Sequence, residues 1–171
     1  MDSRLPKIVF LLLAISAGLY FASYYPLLPD VVASHFNVNG LPNGWQSKPL
    51  FFVFFVSASL IGVFLVFGVP WLVRRMPIEM VNLPNKRYWF GPEQLKATNE
   101  FVASWFAWLG CASFVVILLT FNYAVQSNLH PDRRPDPSHM SYPLLGFGAF
   151  TILWVIRALV RFGNAPQDGD S

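Results

Sequence analysis

Four long apolar runs set the limits on what this chain can fold into. They cover about residues 8–28, 50–73, 101–125 and 144–162, and none carries an ionisable side chain near its centre. About 20 predominantly apolar residues in helical form cross the hydrocarbon core of a bilayer, and a helix satisfies its own backbone polar groups there. Composition agrees: of 171 residues, 54% are hydrophobic and 12% charged, where an ordinary soluble domain carries about 25% charged residues. So few charges cannot cover a globule of this size. The same figures exclude a disordered chain, which needs low hydrophobicity and high charge. The single cysteine, Cys111, excludes an intrachain disulfide framework and a cysteine-cluster metal site. The expected fold class is all-α. It is a polytopic membrane bundle of four transmembrane helices, one domain over 1–171, with an ordered extracytoplasmic loop between the first two.

The first run starts basic (Arg4, Lys7) and has small residues at Ala22 and Ser23, as a secretory signal would. It is longer than a signal's apolar region and lacks a clean small-x-small site before a polar start. It is therefore read as a span. Orientation follows from the Lys and Arg of short loops. With the N-terminus inside, Arg4, Lys7, Arg74, Arg75, Lys86, Arg87, Lys96, Arg157 and Arg161 lie on the inner side, and Lys48, Arg133 and Arg134 on the outer side. Both termini are thus expected in the cytoplasm, with a cationic inner rim against anionic lipid headgroups. The net charge of +3 needs no nucleic acid to explain it.

Helices in lipid associate where small residues let backbones approach. Ala14, Gly18 and Ala22 form such a ridge on the first span, Ala58 and Gly62 on the second, and Ala103, Ala107 and Cys111 on the third. Small residues are also common in membrane helices generally, so these ridges are candidate packing faces only. Pro70 removes a backbone donor near the inner end of the second span and is expected to kink it. Tyr24, Tyr25, Trp71, Trp105, Trp108 and Tyr123 fit interfacial belts, whereas Trp154, deeper in its span, is expected to pack against a neighbouring helix.

The outer loops, 29–49 and 126–143, and the inner loop, 74–100, are where any chemistry must sit. In the first, Asn39-Gly40 and Asn43-Gly44 are turn signals, and Pro29-Asp30 suits the cap of one short helical turn. Phe36 and Trp45 favour docking on the bundle or at the interface. The run LPDVVASHFNVNGLPNGWQSK resembles the signature of the domain-of-unknown-function family numbered 1648. The residues that carry the likeness are Leu28, Pro29, Asp30, His35, Phe36, Asn37, Gly40, Gly44, Trp45, Ser47 and Lys48. Together with the flanking spans they cover roughly 8–70. The inner-loop run Asn82, Leu83, Pro84, Asn85, Lys86, Arg87, Tyr88, Trp89, Phe90, Gly91, Pro92 and Glu93 is similar to a motif of short members of that family. The resemblance implies a bacterial inner-membrane protein. It also implies a distant relation to Sdp-type immunity and signalling proteins, which carry further spans and a C-terminal domain for which there is no room after Val125.

All three histidines, His35, His130 and His139, fall on the outer side, with Asp30, Asp132 and Asp136 near them in sequence. Imidazole and carboxylate suit zinc or copper, but separation in sequence says nothing of convergence, and a hydrogen-bonded His35 beside two solvated histidines is the plainer reading. The second outer loop, with Pro131, Pro135 and Pro137 among charges, is read as an extended tether or docking strip. In the inner loop, Lys86 and Arg87 beside Tyr88, Trp89 and Phe90 describe a segment at headgroup level better than a nucleic-acid platform. From Gly91-Pro92-Glu93 the chain looks helical into the third span.

Missing from the chain are a P-loop, GxGxxG, HExxH, CxxC or CxxCH, and any ionisable group at a span centre to relay protons. No cofactor is expected. The function expected is non-catalytic: an accessory, assembly or scaffold component working through a membrane-protein partner or homo-oligomer in the lipid bilayer. A peptide-sensing or toxin-immunity protein is the second class. An outer-face metal-binding enzyme is the third.

Overall fold

The computed structural model describes residues 3–133 and 136–164. Helix α1, Arg4–Tyr24, ends in a single 3-10 turn, Tyr25–Leu27. Strands β1, Val31–Phe36, and β2, Pro42–Ser47, pair antiparallel as a hairpin. Helix α2, Lys48–Val63, runs through a π-turn, Phe64–Gly68, into α3, Val69–Val73. A short α4, Lys86–Trp89, precedes the 35-residue α5, Leu95–Leu129, and α6, Ser138–Gly163, closes the fold. The stretches Arg4–Leu27, Lys48–Val73, Leu95–Leu129 and Ser138–Gly163 are each long and apolar enough to cross a membrane. The chain is a multi-pass helical bundle.

Helix α5 is its axis, and α1, α2 and α6 each pack against it. Phe10, Phe21, Phe51, Phe55, Val66 and Phe114 fill the core between α1, α2 and α5. Phe21 stacks on Phe55 with centroids 4.6 Å apart, and Phe10 meets Phe114 at 5.2 Å. Two glycines permit the close approach. A Cβ at Gly110 would stand 2.5 Å from the Val66 side chain and 3.2 Å from the Gly62 carbonyl oxygen, and one at Gly62 3.0 Å from the Phe10 ring. The π-turn lies directly before Pro70. A proline has no N–H to give the preceding turn, and the backbone widens there instead of breaking.

The small-residue ridges divide. Gly62, Ala103 and Ala107 are buried, and Ala58 and Ala14 half-buried, but Gly18 and Ala22 are exposed. The buried face of α1 is Phe10, Ala17 and Phe21, so the expected ridge on that helix is corrected. Lipid is as good a solvent for a small apolar side chain as another helix, and the rings of α1 gain more by interlocking with those of α2 and α5.

Helix α6 packs on α5 through a symmetric tryptophan pair, among other contacts. The Trp105 and Trp154 rings stack 3.6 Å apart and 5° from parallel. Each indole Nε1–H donates to the other's backbone carbonyl, at 3.0 and 2.9 Å. The connection between α5 and α6 is shorter than the expected 126–143, because α5 continues to Leu129 and α6 begins at Ser138. Of that loop, Arg134 and Pro135 lie outside the described residues.

Candidate functional site at the hairpin end

Val31 and Val32 open β1 with β-branched side chains that suit a pleated, half-buried strand. The return is an Asx-type turn in which Asn37 Oδ1 accepts from the backbone N–H of Asn39 at 2.9 Å and of Leu41 at 3.0 Å. Gly40 takes the left-handed conformation there, φ 72°. Two expectations change. Pro29-Asp30 does not cap a helical turn; the turn comes earlier, at Tyr25–Leu27, and Leu28 leaves it in an extended conformation ahead of β1. Asn43-Gly44 is not a turn but part of β2.

The base of the hairpin is zipped by Lys48. Its backbone N–H donates to Asp30 O at 2.9 Å, its Nζ to Leu28 O at 2.8 Å, and the ammonium lies 5.0 Å from the Tyr25 ring centroid. Asn128 of α5 clamps the middle. Its Oδ1 accepts from Ala33 N and its Nδ2 donates to Ala33 O, both at 2.8 Å, so the amide replaces a third strand on that edge. Phe36 sits edge-on to Tyr123 at 5.1 Å, and the Tyr123 hydroxyl donates to Gly40 O at 3.4 Å. Below the hairpin, the Tyr20 hydroxyl donates to Asn122 Oδ1 and accepts from Gln126 Nε2, tying α1 to α5.

The hairpin is irregular where its chemistry lies. Ala33 faces Trp45 and His35 faces Gly44, so Ser34 is an extra, bulged residue. A Cβ on Gly44 would stand 2.9 Å from the His35 Cβ, and His35 Nδ1 hydrogen-bonds to Asn43 Oδ1. A cavity of about 410 Å3 lies beneath, with Ser34, His35 and Gln46 as its roof and Phe51, Phe54, Ala58 and Phe121 among its walls. A second, of about 470 Å3, opens on the other flank between Pro29, Phe36, Leu41, Trp45, Asn128 and Arg133. Trp45 is 61% exposed.

His130 and His139 are exposed, and among the described residues no three His, Cys, Asp or Glu side chains group as metal ligands. Asp136 Oδ1 accepts from the Ser138 N–H at 2.9 Å, and this bond holds its carboxyl below the usual 3.8.

The inner-loop motif does a different job from the one expected. Asn85 adopts φ 52°, and its Nδ2 donates to Phe162 O at 3.2 Å. The buried Trp89 donates to the same carbonyl at 3.1 Å, and Thr98 Oγ1 donates to Trp89 O at 2.7 Å. The Arg161 guanidinium lies 4.3 Å from the Phe101 ring and 5.1 Å from that of Trp89. Trp89 thus closes the C-terminal end of α6 instead of resting on headgroups, because open carbonyls at a helix end need donors. Leu83 and Tyr88 are half-buried beside it, while Asn82, Pro84, Pro92 and Glu93 are exposed.

Residues 11–61 match the family model of DUF1648, a domain of unknown function. The match covers the first part of the chain only. That segment takes in most of α1, the whole hairpin and the greater part of α2, which is the unit that Lys48 zips. The resemblance read from the 28–48 run holds over this stretch. No curated protein and no solved structure matches the chain. Asn128, Asn122 and Gln126, which anchor the matched stretch, lie outside it, on α5. Their signal was three amides in the last turns of an otherwise apolar span.

Proposed function

We propose that this chain is a non-catalytic protein of the bacterial inner membrane that acts by binding other proteins, as an accessory, assembly or scaffold component. Both termini lie in the cytoplasm, a topology supported by nine of twelve Lys and Arg at the termini end of the bundle. The observation that carries the reading is the hairpin. It is tied to the bundle through Lys48, Asn128, Phe36 and Tyr123, yet its largest aromatic, Trp45, stays 61% exposed. An exposed tryptophan on rigid support is the usual form of an interface hot spot, because little conformational freedom is lost when it docks. The test is purification from native membranes in gentle detergent, with native mass and identification of co-purifying chains. A stoichiometric partner lost in Trp45→Ala supports the reading. A clean monomer or homodimer from both proteins sinks it.

The 470 Å3 cleft beside Trp45 favours a second reading, a peptide-sensing or immunity protein, since its mix of aromatic, proline and Arg133 side chains suits an extended peptide. A deletion strain challenged with secreted peptides separates the two: altered sensitivity belongs to this reading alone.

A further inference from the structure

Three features converge on one imidazole. Successive strand residues normally point to opposite faces, but the bulge at Ser34 turns Ser34 and His35 onto the same cavity. Gly44 leaves the space that the His35 side chain needs, since any Cβ there would meet it at 2.9 Å. Asn43 Oδ1 engages Nδ1, which makes Nδ1 the donor and leaves Nε2 of the neutral ring as an acceptor. Neither the Ser34 hydroxyl nor the Gln46 amide has a hydrogen-bond partner among the described residues. The roof therefore offers donors and acceptors together, and no lysine, arginine or carboxylate lines the cavity.

The walls are of the opposite kind. Phe51, Phe54 and Ala58 come from α2 and Phe121 from α5, both membrane-spanning helices, and Phe54 is 53% exposed on the flank of the bundle. A site of about 410 Å3 is of small-molecule size. Its polar end lies at the hairpin and its apolar end faces where acyl chains run. We infer that this cavity is a binding site for a membrane amphiphile with an uncharged, hydroxyl-bearing head, the acylglycerol class. The head hydroxyls bond to His35 Nε2, Ser34 and Gln46, and the chain lies along Phe51, Phe54 and Phe121. An anionic head finds no fixed cation here. The inference stands apart from the proposed protein partner, whose surface is the Trp45 flank.

The test uses the full chain in phosphatidylcholine nanodiscs doped with a monoacylglycerol that carries a diazirine in its acyl chain. After illumination, label is expected to concentrate on α2 and α5 around Phe54, Ala58 and Phe121, and excess monoolein should displace it more effectively than oleate. Gln46→Leu, which removes one head contact, should weaken labelling about fivefold, the equivalent of one hydrogen bond. Ala58→Trp, which fills the cavity from a half-buried position, should abolish it; both variants are first checked for an unchanged melting midpoint. Label spread evenly over the flanks of α1, α2, α5 and α6, and unmoved by Ala58→Trp, means an ordinary lipid annulus and overturns the site. Equal displacement by oleate overturns the choice of head.

Discussion

At the scale of single residues, Asn128 makes the most contacts of the polar side chains that hold the hairpin end. It answers both backbone groups of Ala33 and also donates to Ala124 O at 2.8 Å. Ala33 is buried, with Val32 beside it, and both its backbone groups lose their partner when the amide is removed. Leaving a buried donor or acceptor unsatisfied costs about 1–3 kcal/mol. Asn128→Ala is accordingly expected to destabilise the docked hairpin by about that amount, and Asn128→Asp to cost more, because its second carboxylate oxygen would face the Ala33 and Ala124 carbonyl oxygens with no proton between them. Hydrogen exchange at the Ala33 amide is the direct readout. A rise confined to the hairpin confirms a clamp, and protection equal to the parent's removes it. The residue was hard to single out in the sequence, because an asparagine near the end of a span reads equally well as an interfacial group. Its partner is a backbone 95 residues away.

At the scale of elements, the spans were legible and their faces were not. Length and hydropathy are enough for a helix that must cross lipid, and all four runs are helices. The inward face of α1 was misread at Gly18 and Ala22 because hydropathy is the same on the lipid side and the helix side, so only the fit of Phe10 and Phe21 decides. The strands were missed for another reason. Asn43-Gly44 has the composition of a turn, and its place in β2 depends on a long-range fact, the His35 side chain lying across from Gly44. The ends of α6 show the same dependence, and each supports a prediction. Trp89→Phe keeps an aromatic ring but drops the N–H given to Phe162 O and leaves a small void, so the last turn of α6 should lose upwards of about 1 kcal/mol and its amides should exchange faster. At the other end, Asp136 bonds to the Ser138 N–H, and its carboxyl titrates below the ordinary value of 3.8. A folded value below the unfolded one adds stability that is complete above the unfolded value and is lost as pH falls through the folded one. Exchange at the first turn of α6 should therefore rise only under acid conditions below 3.8. In Asp136→Asn, which keeps an uncharged acceptor, that rise should vanish.

At the scale of the whole molecule, the hairpin and the capped end of α6 occupy opposite ends of one bundle, so the direction of insertion decides which of them meets the world outside. Among the described residues the hairpin end holds Lys48 and Arg133, and nine basic residues lie toward the termini. Short basic loops stay on the cytoplasmic side, and under the proposed topology the hairpin faces out. The chain is well suited to a direct test, since its one cysteine, Cys111, is buried in the core and should be silent to reagent in intact membranes. A cysteine placed at the exposed Ser47, at the edge of β2, should react in whole cells with a maleimide that cannot cross the membrane. One at the exposed Ala97, in the first turn of α5, should react only after the cells are opened. The reverse pattern would put the hairpin in the cytoplasm and turn the Trp45 surface and the His35 cavity toward the cytoplasmic leaflet. Labelling at both positions in intact cells would mean dual insertion. The proposed partner would then have to be sought on both sides, and Arg74, Arg75, Lys86 and Arg87 would have to be held outside against the bias that short basic loops impose.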